Sequence, residues 1–500
     1  MKHIRIYLAL LIMAVMNSVS VAQMVSPVDF MKNNPRWNFA NPAFFVNDYG
    51  FFDLALGGIN VGVQNIGLKY DNFFQFNNAG QPVAIDLDKG IASLRDVNFV
   101  NEYFGLDIFN CGRRTAHGYF TYTHRLREFT SFSFNKDLIQ LLGQGNGAFL
   151  GQDNPADLNL GLSARVFQEF SLGYQMCLTD HLNIGLRLKF LMGVADVSTN
   201  NLNIKLYTDP DTYAWTVMTD ADINTSIPYE LREGPIMGGN GNLIVDSRFN
   251  IGNLFKNYGY GIDLGAEYLI TEQFGVAAAV NDLGRIKWNT FTSHITGGIQ
   301  DAGSFYQNGG FYFNGVTSEQ LDGMLHNSSY ANALVDSLTN YLKLDVTNLE
   351  SYTTGLYTNY MVRAYYDLTP GHRFSAQFGG YNMGSGIQNG FTLAYTGSFA
   401  DKYDLVLAYT ALPGSSDNLG VGLSANFGGL HLYMASNSVL GFFNPANSSQ
   451  LHFQFGISFT SGEKATRAET VIITDRVAEE EAVEEETETS SETDNYYYNY

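Results

Sequence analysis

From His181 to Met192 the chain reads His-Leu-Asn-Ile-Gly-Leu-Arg-Leu-Lys-Phe-Leu-Met. Ile184, Leu186, Leu188 and Phe190 recur at every second position, with Gly185, Arg187 and Lys189 between them. Successive side chains of a strand point to opposite faces, so this stretch predicts one apolar and one polar face. Tyr260–Ile270 repeats the pattern, setting Ile262, Leu264, Ala266 and Tyr268 against Gly261, Asp263, Gly265 and Glu267. Leu419–Phe427 and Leu451–Phe459 alternate in the same way. A soluble sandwich also alternates, but its water-facing positions carry Lys and Glu. Here the polar face is mostly Gly, Ser, Asn and Gln, which suits a crowded interior behind a wall that faces lipid.

Composition supports that reading over its rivals. Only 15% of the 500 residues are charged, against roughly 25% in soluble chains. Gly reaches 51, Tyr 31 and Phe 37, yet mean hydropathy is only -0.10. Polytopic helical membrane proteins need apolar runs of about 20 residues, and none fits such a chain. The net charge of -21 would repel phosphates, which argues against nucleic acid as a partner. The connections alternate as well. Tight turns at Thr179–His181, Thr271–Gln273, Thr369–Gly371, Ala400–Lys402 and Gly428–Gly429 are separated by longer links at 194–258, 284–354, 383–389, 413–417 and 437–449. Outer-membrane barrels put short turns in the periplasm and long loops outside. Strands near 51–70 (one bent strand or a hairpin), 100–110, 116–134 and Phe167–Leu178 extend the series, with Cys111–Ala116 as a further turn. The expectation is an all-β, antiparallel transmembrane β-barrel of about 14 strands, with periplasmic termini and short helices in its outer loops.

The ends of the chain read differently from its middle. Lys2, His3 and Arg5, the apolar run Ile6–Met16 and the small residues Ser20-Val21-Ala22 make residues 1–22 a cleaved export signal. Residues 23–48 form an N-terminal segment, 49–460 the barrel and 461–500 a tail. Nine acids between Val477 and Asp494, with no Lys or Arg among them, predict a disordered periplasmic tail. It is read either as a contact for a basic partner or as a solvated extension. Export permits a disulfide between Cys111 and Cys177, but nothing in their placement pairs them. Asn201–Thr208 and Tyr213–Met218 alternate within the first long outer link, so strands should project past the bilayer. Ser318–Leu344 carries helical spacing in the second, read as a lid or partner cap or as plain packing on the rim.

Motifs for chemistry are scarce. The nine His show no metal-ligand spacing, and no nucleophile elbow or phosphate loop occurs. Asp209-Pro210-Asp211 and Asp220-Ala221-Asp222 are short of a full calcium ligand set. No catalytic, cofactor-binding or metal residue is therefore assigned, and no cofactor. The informative set is Arg187, Lys189, Asp263, Glu267, Arg363 and Arg373, all on the polar faces of their strands. An inward charge must be hydrated or paired. The set is either a salt-bridged network that fills the lumen or a polar constriction that selects a solute.

A resemblance enters at Asn41-Pro42-Ala43, which is similar to the signature of long-chain fatty-acid-transporter-type barrels. A second copy stands at Asn444-Pro445-Ala446. Tyr103-Phe104-Gly105-Leu106, Gly145-Asn146-Gly147, the run from Ile184 to Gly193, Gly261-Ile262-Asp263-Leu264-Gly265 and the run from Asn281 to Trp288 follow in that order. As an ordered set over roughly 35–460 they resemble an uncharacterised outer-membrane barrel family of Bacteroidota, known only by a domain-of-unknown-function label. The resemblance implies outer-membrane residence and a barrel akin to fatty-acid transporters and the type IX secretion shuttle barrel, and it carries no catalytic residues. His452–Phe459 also resembles the terminal strand that barrel-assembly machinery recognises, here placed ahead of the tail. Outer-membrane lipid and that machinery are the expected partners. The leading expectation is a non-enzymatic, porin-like barrel that binds or passes a small solute, an apolar one among the candidates, with Met24–Phe45 as a hatch in the lumen and Asn41, Pro42 and Ala43 as its motif. The rival is a structural or secretion-accessory barrel that binds envelope or exported proteins through its outer loops and acidic tail. A barrel enzyme acting on lipid is the third class.

Overall fold

The alternating stretches become fourteen antiparallel strands that close into a barrel. The structure, a computed structural model, describes residues 25–44, 52–66, 68–77, 82–115, 117–235, 242–247, 255–299, 311–313, 343–382, 387–400, 402–411, 418–444 and 448–461. The wall runs β1 (Phe52–Ile66), β2 (Val97–Thr115), β3 (Gly118–Asn135), β4 (Leu160–Cys177), β5 (Leu182–Thr208), β6 (Tyr258–Leu269) and β7 (Phe274–Trp288). It continues through β8 (Asn359–Thr369), β9 (His372–Asn382), β10 (Ile387–Phe399), β11 (Tyr403–Ala411), β12 (Leu419–Phe427), β13 (Leu430–Ser436) and β14 (Gln450–Ser461). Each strand pairs with its neighbours in the series. β1 also pairs with β14, Leu54 opposite Phe459 and Gln64 opposite Gln450. Closure leaves no row of unpaired backbone groups, which hydrocarbon would not tolerate.

The sorting of side chains places the wall in a membrane. On β5, Leu188 is 54% exposed, while its neighbour Arg187 is only 2% exposed. β6, β12 and β14 repeat this: Leu264, Leu423 and Phe455 face outward, and Asp263, Ser424 and Gln454 are buried. Polar inside and apolar outside reverses the arrangement water selects and matches hydrocarbon around the wall. Tight turns alternate with longer links as the sequence predicts, and the first and last strands pair Phe52 with Ser461 at the tight-turn end. By the orientation rule that end is periplasmic. Short helices at Leu87–Ser93, Lys136–Gln144 and Val439–Phe443 all sit in outer links.

Three strand boundaries differ from the sequence reading. The turn expected at Cys111–Ala116 is shorter, because Cys111 to Thr115 still find ladder partners in Gly118 to Tyr122. β2 therefore spans more than 100–110. Of the two readings of 51–70 the single strand is found, but it ends at Ile66, and its register to β14 slips between Ala55 and Gly57. β4 starts at Leu160 instead of Phe167, since Leu160 to Val166 pair with Glu128 to Phe134.

β5 is 27 residues long, whereas a tilted spanning strand needs about 9–11. Its outer part, Asp196 to Thr208, pairs with a strand at Trp215–Ser226, which in turn pairs with one at Thr292–Gly298. Lys343–Asn348 joins the far side. The two long outer links thus build one shared sheet beyond the membrane. It has its own apolar core of Phe149, Ala156, Leu158 and Leu206, joined by Leu138 and Leu141 of the Lys136–Gln144 helix. The acidic pairs of this region are engaged locally. Asp209 accepts from the amides of Asp211 and Thr212. Asn200 and His294 bond Asp222 at 2.9 Å each, and those two bonds hold its carboxyl below the usual range. Among the described residues no group of three His, Cys, Asp or Glu could hold a metal. The Met1–Ala22 signal, the acidic tail, Pro445-Ala446 and the helices expected in 318–342 lie outside the described residues. Lys343 and Leu344 belong to the strand already named.

A charge on the outward face tests the orientation of the wall. Leu188→Arg, at mid-height on β5, should cost about 2–4 kcal/mol, read from equilibrium unfolding in lipid vesicles. An unchanged midpoint would mean that this face does not meet hydrocarbon.

Candidate functional site in the barrel lumen

A bulge organises the centre of the lumen. Between Ile262 and Leu264 the β6–β7 register slips, so Asn281 and Asp282 together oppose Asp263. Asp282 takes φ 60°, a left-handed conformation that Asp tolerates better than most residues. Its backbone N–H donates to Asp263 Oδ1 at 2.7 Å. Both bulge side chains are buried, which a regular strand would not allow for consecutive residues.

Charges converge on that bulge. Lys189 Nζ lies 2.5 Å from Asp282 Oδ1 and 2.7 Å from Asp263 Oδ1. Arg127 donates to both Asp282 oxygens, at 2.8 and 2.9 Å, and to Glu169 Oε2 at 2.7 Å. Arg125 reaches the other Glu169 oxygen at 2.5 Å, and Arg187 reaches Asp263 Oδ2 at 3.0 Å. Four cations from β3 and β5 therefore share three carboxylates from β4, β6 and β7. Bidentate geometry at Arg127 is the strongest form such a pair takes.

The N-terminal segment lies among the same inward side chains. It makes two short 3-10 turns, Pro27–Phe30 and Pro35–Phe39, capped by the side chains of Ser26 and Asn34. Proline at the first position of each turn has no N–H to leave unpaired. The wall holds the segment by its backbone. Arg363 donates to the Asp29 carbonyl at 2.7 Å and Arg187 to the Asn38 carbonyl at 3.0 Å. Arginines also cover its rings: Arg363 over Phe30 at 4.1 Å, and Arg125 and Arg187 over Phe39 at 4.8 and 5.0 Å. Arg36 returns a charge to the wall by pairing with Asp107 of β2.

Asn41-Pro42-Ala43 sits where the wall is bare. Gly185 of β5 and Gly265 of β6 are direct register partners on the inner face. A Cβ at Gly265 would collide with the Asn41 side chain, and one at Gly185 with the Pro42 backbone. Asn41 Nδ2 donates to the Ala266 and Ala278 carbonyls at 3.1 and 3.2 Å, and its Oδ1 accepts from the Ala43 amide at 2.8 Å. The three residues thus act as one unit against β6 and β7.

The six charges singled out in the sequence fall into two groups. Arg187, Lys189 and Asp263 belong to the central network. Glu267, Arg363 and Arg373 lie nearer the tight-turn end. There Tyr365 donates to Glu267 at 2.6 Å and lies under Arg373 at 3.9 Å, while Arg373 pairs with Asp367 at 2.7 Å. Arg363 bonds Gln377 at 2.9 and 2.6 Å. Sequence reasoning missed Arg125, Arg127, Glu169 and Asp282. Alternation along 118–135 and 160–177 carries the first three, and the bulge conceals the fourth.

A cavity of about 160 Å³ lies between the segment and the wall, bordered by Phe39, Tyr103, Tyr381 and Asn101 beside the charge network. On its outer side Phe129, Phe167, Leu191, Ile286, Trp288, Leu356 and Tyr357 pack into a buried apolar layer.

Wall and lumen together define a transmembrane β-barrel whose interior is filled by its own N-terminal segment and a charge network. The chain belongs to the family of unknown function DUF5723, whose model matches residues 42–437. No curated protein matches it. Among solved structures it is similar to a Pseudomonas aeruginosa FadL homologue, at 10% identity and TM-score 0.40 over 89% of this chain and 100% of that one. It is also similar to the Pseudomonas putida toluene transporter TodX, at 8% identity and TM-score 0.35 over 88% and 93% of the two chains. Likeness at that level brings no ligand with it.

Removing one buried acceptor tests the network. Asp282→Ala leaves the four buried cations with two carboxylates, Arg127 keeping Glu169 and Lys189 keeping Asp263, and should cost about 3–5 kcal/mol. The measurement is the temperature at which the folded band is lost in heat-modifiable gel migration. An unshifted transition would mean that the pairing does not support the fold.

Proposed function

We propose that this chain is a non-enzymatic outer-membrane barrel that passes a small solute, with residues 25–44 as a plug that must move for passage. The observation that carries the reading is the seat of Asn41-Pro42 on paired Gly185 and Gly265, where the wall has given up side chains to receive the segment. Besides the Arg36–Asp107 pair and its apolar packing, the plug is held by single hydrogen bonds to its backbone and by cation–π contacts, each worth on the order of 1–3 kcal/mol. Contacts of that size can be exchanged one at a time. Phe39, Tyr103 and Tyr381 beside Asn101 suit a solute with an apolar body and a polar end. The non-enzymatic reading rests on the carboxylates of the central network. Glu169, Asp263 and Asp282 are each tied to Arg or Lys, so none is free to act as a general base.

Residence in the outer membrane, export by residues 1–22, surrounding lipid and insertion by barrel-assembly machinery complete the proposal. A second reading, a structural or secretion-accessory barrel, draws on the sheet that β5 carries beyond the membrane, with its separate apolar core. In that reading the outer sheet and the acidic tail bind envelope or exported proteins.

Planar-bilayer conductance separates the two. The intact chain should be nearly silent, and Gly265→Leu, which displaces Asn41, should raise conductance severalfold while the barrel stays folded by gel migration. A silent Gly265→Leu barrel, together with envelope proteins that co-purify and are lost on deleting 463–500, would move the assignment to the accessory role.

A further inference from the structure

From Asn418 to Gly462 the chain contains no Asp, Glu, Lys or Arg, although the span includes three wall strands, β12 to β14, and the link between β13 and β14. That link forms the helix Val439–Phe443. Its large side chains are left outside: Leu440 is 47%, Phe442 53% and Phe443 84% exposed. Water disfavours three such groups on five consecutive residues.

The position of the helix identifies what covers it. Gly441 is its buried residue, and a Cβ there would press against Ser448 Oγ at 2.5 Å and against the Gln450 carbonyl and Leu451 Cδ2 at 2.9 Å each, at the upper end of β14. Leu451 alternates with the buried His452 and Gln454, so it belongs to the outward face of β14 with Phe453, Phe455, Ile457 and Phe459. The helix therefore lies on the outside of the wall, continuous with the lipid-facing stripe. Leu451–Phe459 is also about the 9–11 residues that a tilted strand needs to cross the hydrocarbon. Its lower end meets the tight-turn rim, so its upper end, where the helix rests, falls at the outer boundary of the hydrocarbon. The exposed Asn444 follows the helix with a polar group, and short aromatic segments beside polar groups favour that boundary.

We infer that Val439–Phe443 is a lipid foot: it inserts Leu440, Phe442 and Phe443 into the acyl region just below the headgroups of the outer leaflet. Its occupant is lipid acyl chain. The missing charge gives it no means of pairing with headgroup phosphates. The foot fastens the β13–β14 link beside the barrel mouth, on the strands next to the closing seam with β1.

Tryptophan fluorescence tests it. Phe443→Trp is reconstituted into phosphatidylcholine vesicles whose acyl chains carry bromine near the glycerol end or near the methyl end. Subtracting the emission of the unaltered chain removes Trp37, Trp215 and Trp288. The added emission should be mostly lost with bromine near the glycerol end and much less with bromine near the methyl end. No loss with either lipid would place the helix in water, and a greater loss with the deep bromine would place it in the bilayer core; both overturn the inference. Leu440→Trp is the second probe, with the same expected order of loss, should Phe443→Trp fail to migrate as a folded barrel.

Discussion

Pairing of inward charges in the lumen is the constraint on which the rest of this barrel depends. Hydrocarbon outside leaves the charged side chains of the spanning strands only the interior, where a bare charge costs several kcal/mol. Lys189 meets the demand by sitting between Asp263 and Asp282, and Arg127 by spanning Asp282 and Glu169. These contacts join β3, β4, β5, β6 and β7. An apolar filling of equal volume would be as stable or more so. What the ionic filling adds is directionality: each oxygen accepts along defined lines, so the strands are locked in one register. The bulge at Asp282 is part of that arrangement, because only an extra residue brings a second carboxylate to Lys189 from the side of β7.

The N-terminal segment depends on the same charges. Arg187 divides its donors between Asp263 and the Asn38 carbonyl, so the network and the plug share a side chain. Arg125 likewise pairs with Glu169 while its guanidinium covers Phe39. Displacing the segment would expose guanidinium faces that it now covers, and water or a solute would have to replace it. A solute with both a ring-like apolar surface and a hydrogen-bonding end would do this better than water, which offers no apolar contact. Charge pairing in the wall and the seating of the segment are therefore linked by two arginines.

Much of the wall was legible because period two is a local signal. Ile184 to Phe190, Ile262 to Tyr268 and Leu451 to Phe459 each point as their alternation requires, and the tight turns fall where Gly, Thr and Asp punctuate it. Legibility ended where the period breaks. Asp282 stands beside Asn281, and alternation sends one of the two outward, whereas the bulge turns both in. The seat of Asn41 was illegible for another reason. Gly185 and Gly265 read as two unremarkable small residues on separate strands, and only the register that sets them opposite each other shows a vacancy in the wall. Cys111 to Thr115 show the remaining limit, since nothing in those residues says how far a ladder continues past the bilayer.

Net charge takes on a different meaning once these positions are known. Of the -21, nine negative charges lie in the tail between Val477 and Asp494, while the central network carries four cations against three carboxylates. That cluster is thus slightly positive inside a strongly acidic chain. The uncharged run from Asn418 to Gly462 makes the same point from the opposite side. There the inward face carries His, Gln and Ser, and the N-terminal segment meets it through Ser26 and Gln454 and through the packing of Val28 and Met31. The barrel therefore has two unlike inner sides, an ionic one formed by β3 to β7 and a neutral one formed by β12 to β14. A segment gripped by charge on one side and by apolar packing on the other is most easily moved by pivoting on the apolar side, because those contacts slide without leaving a charge bare.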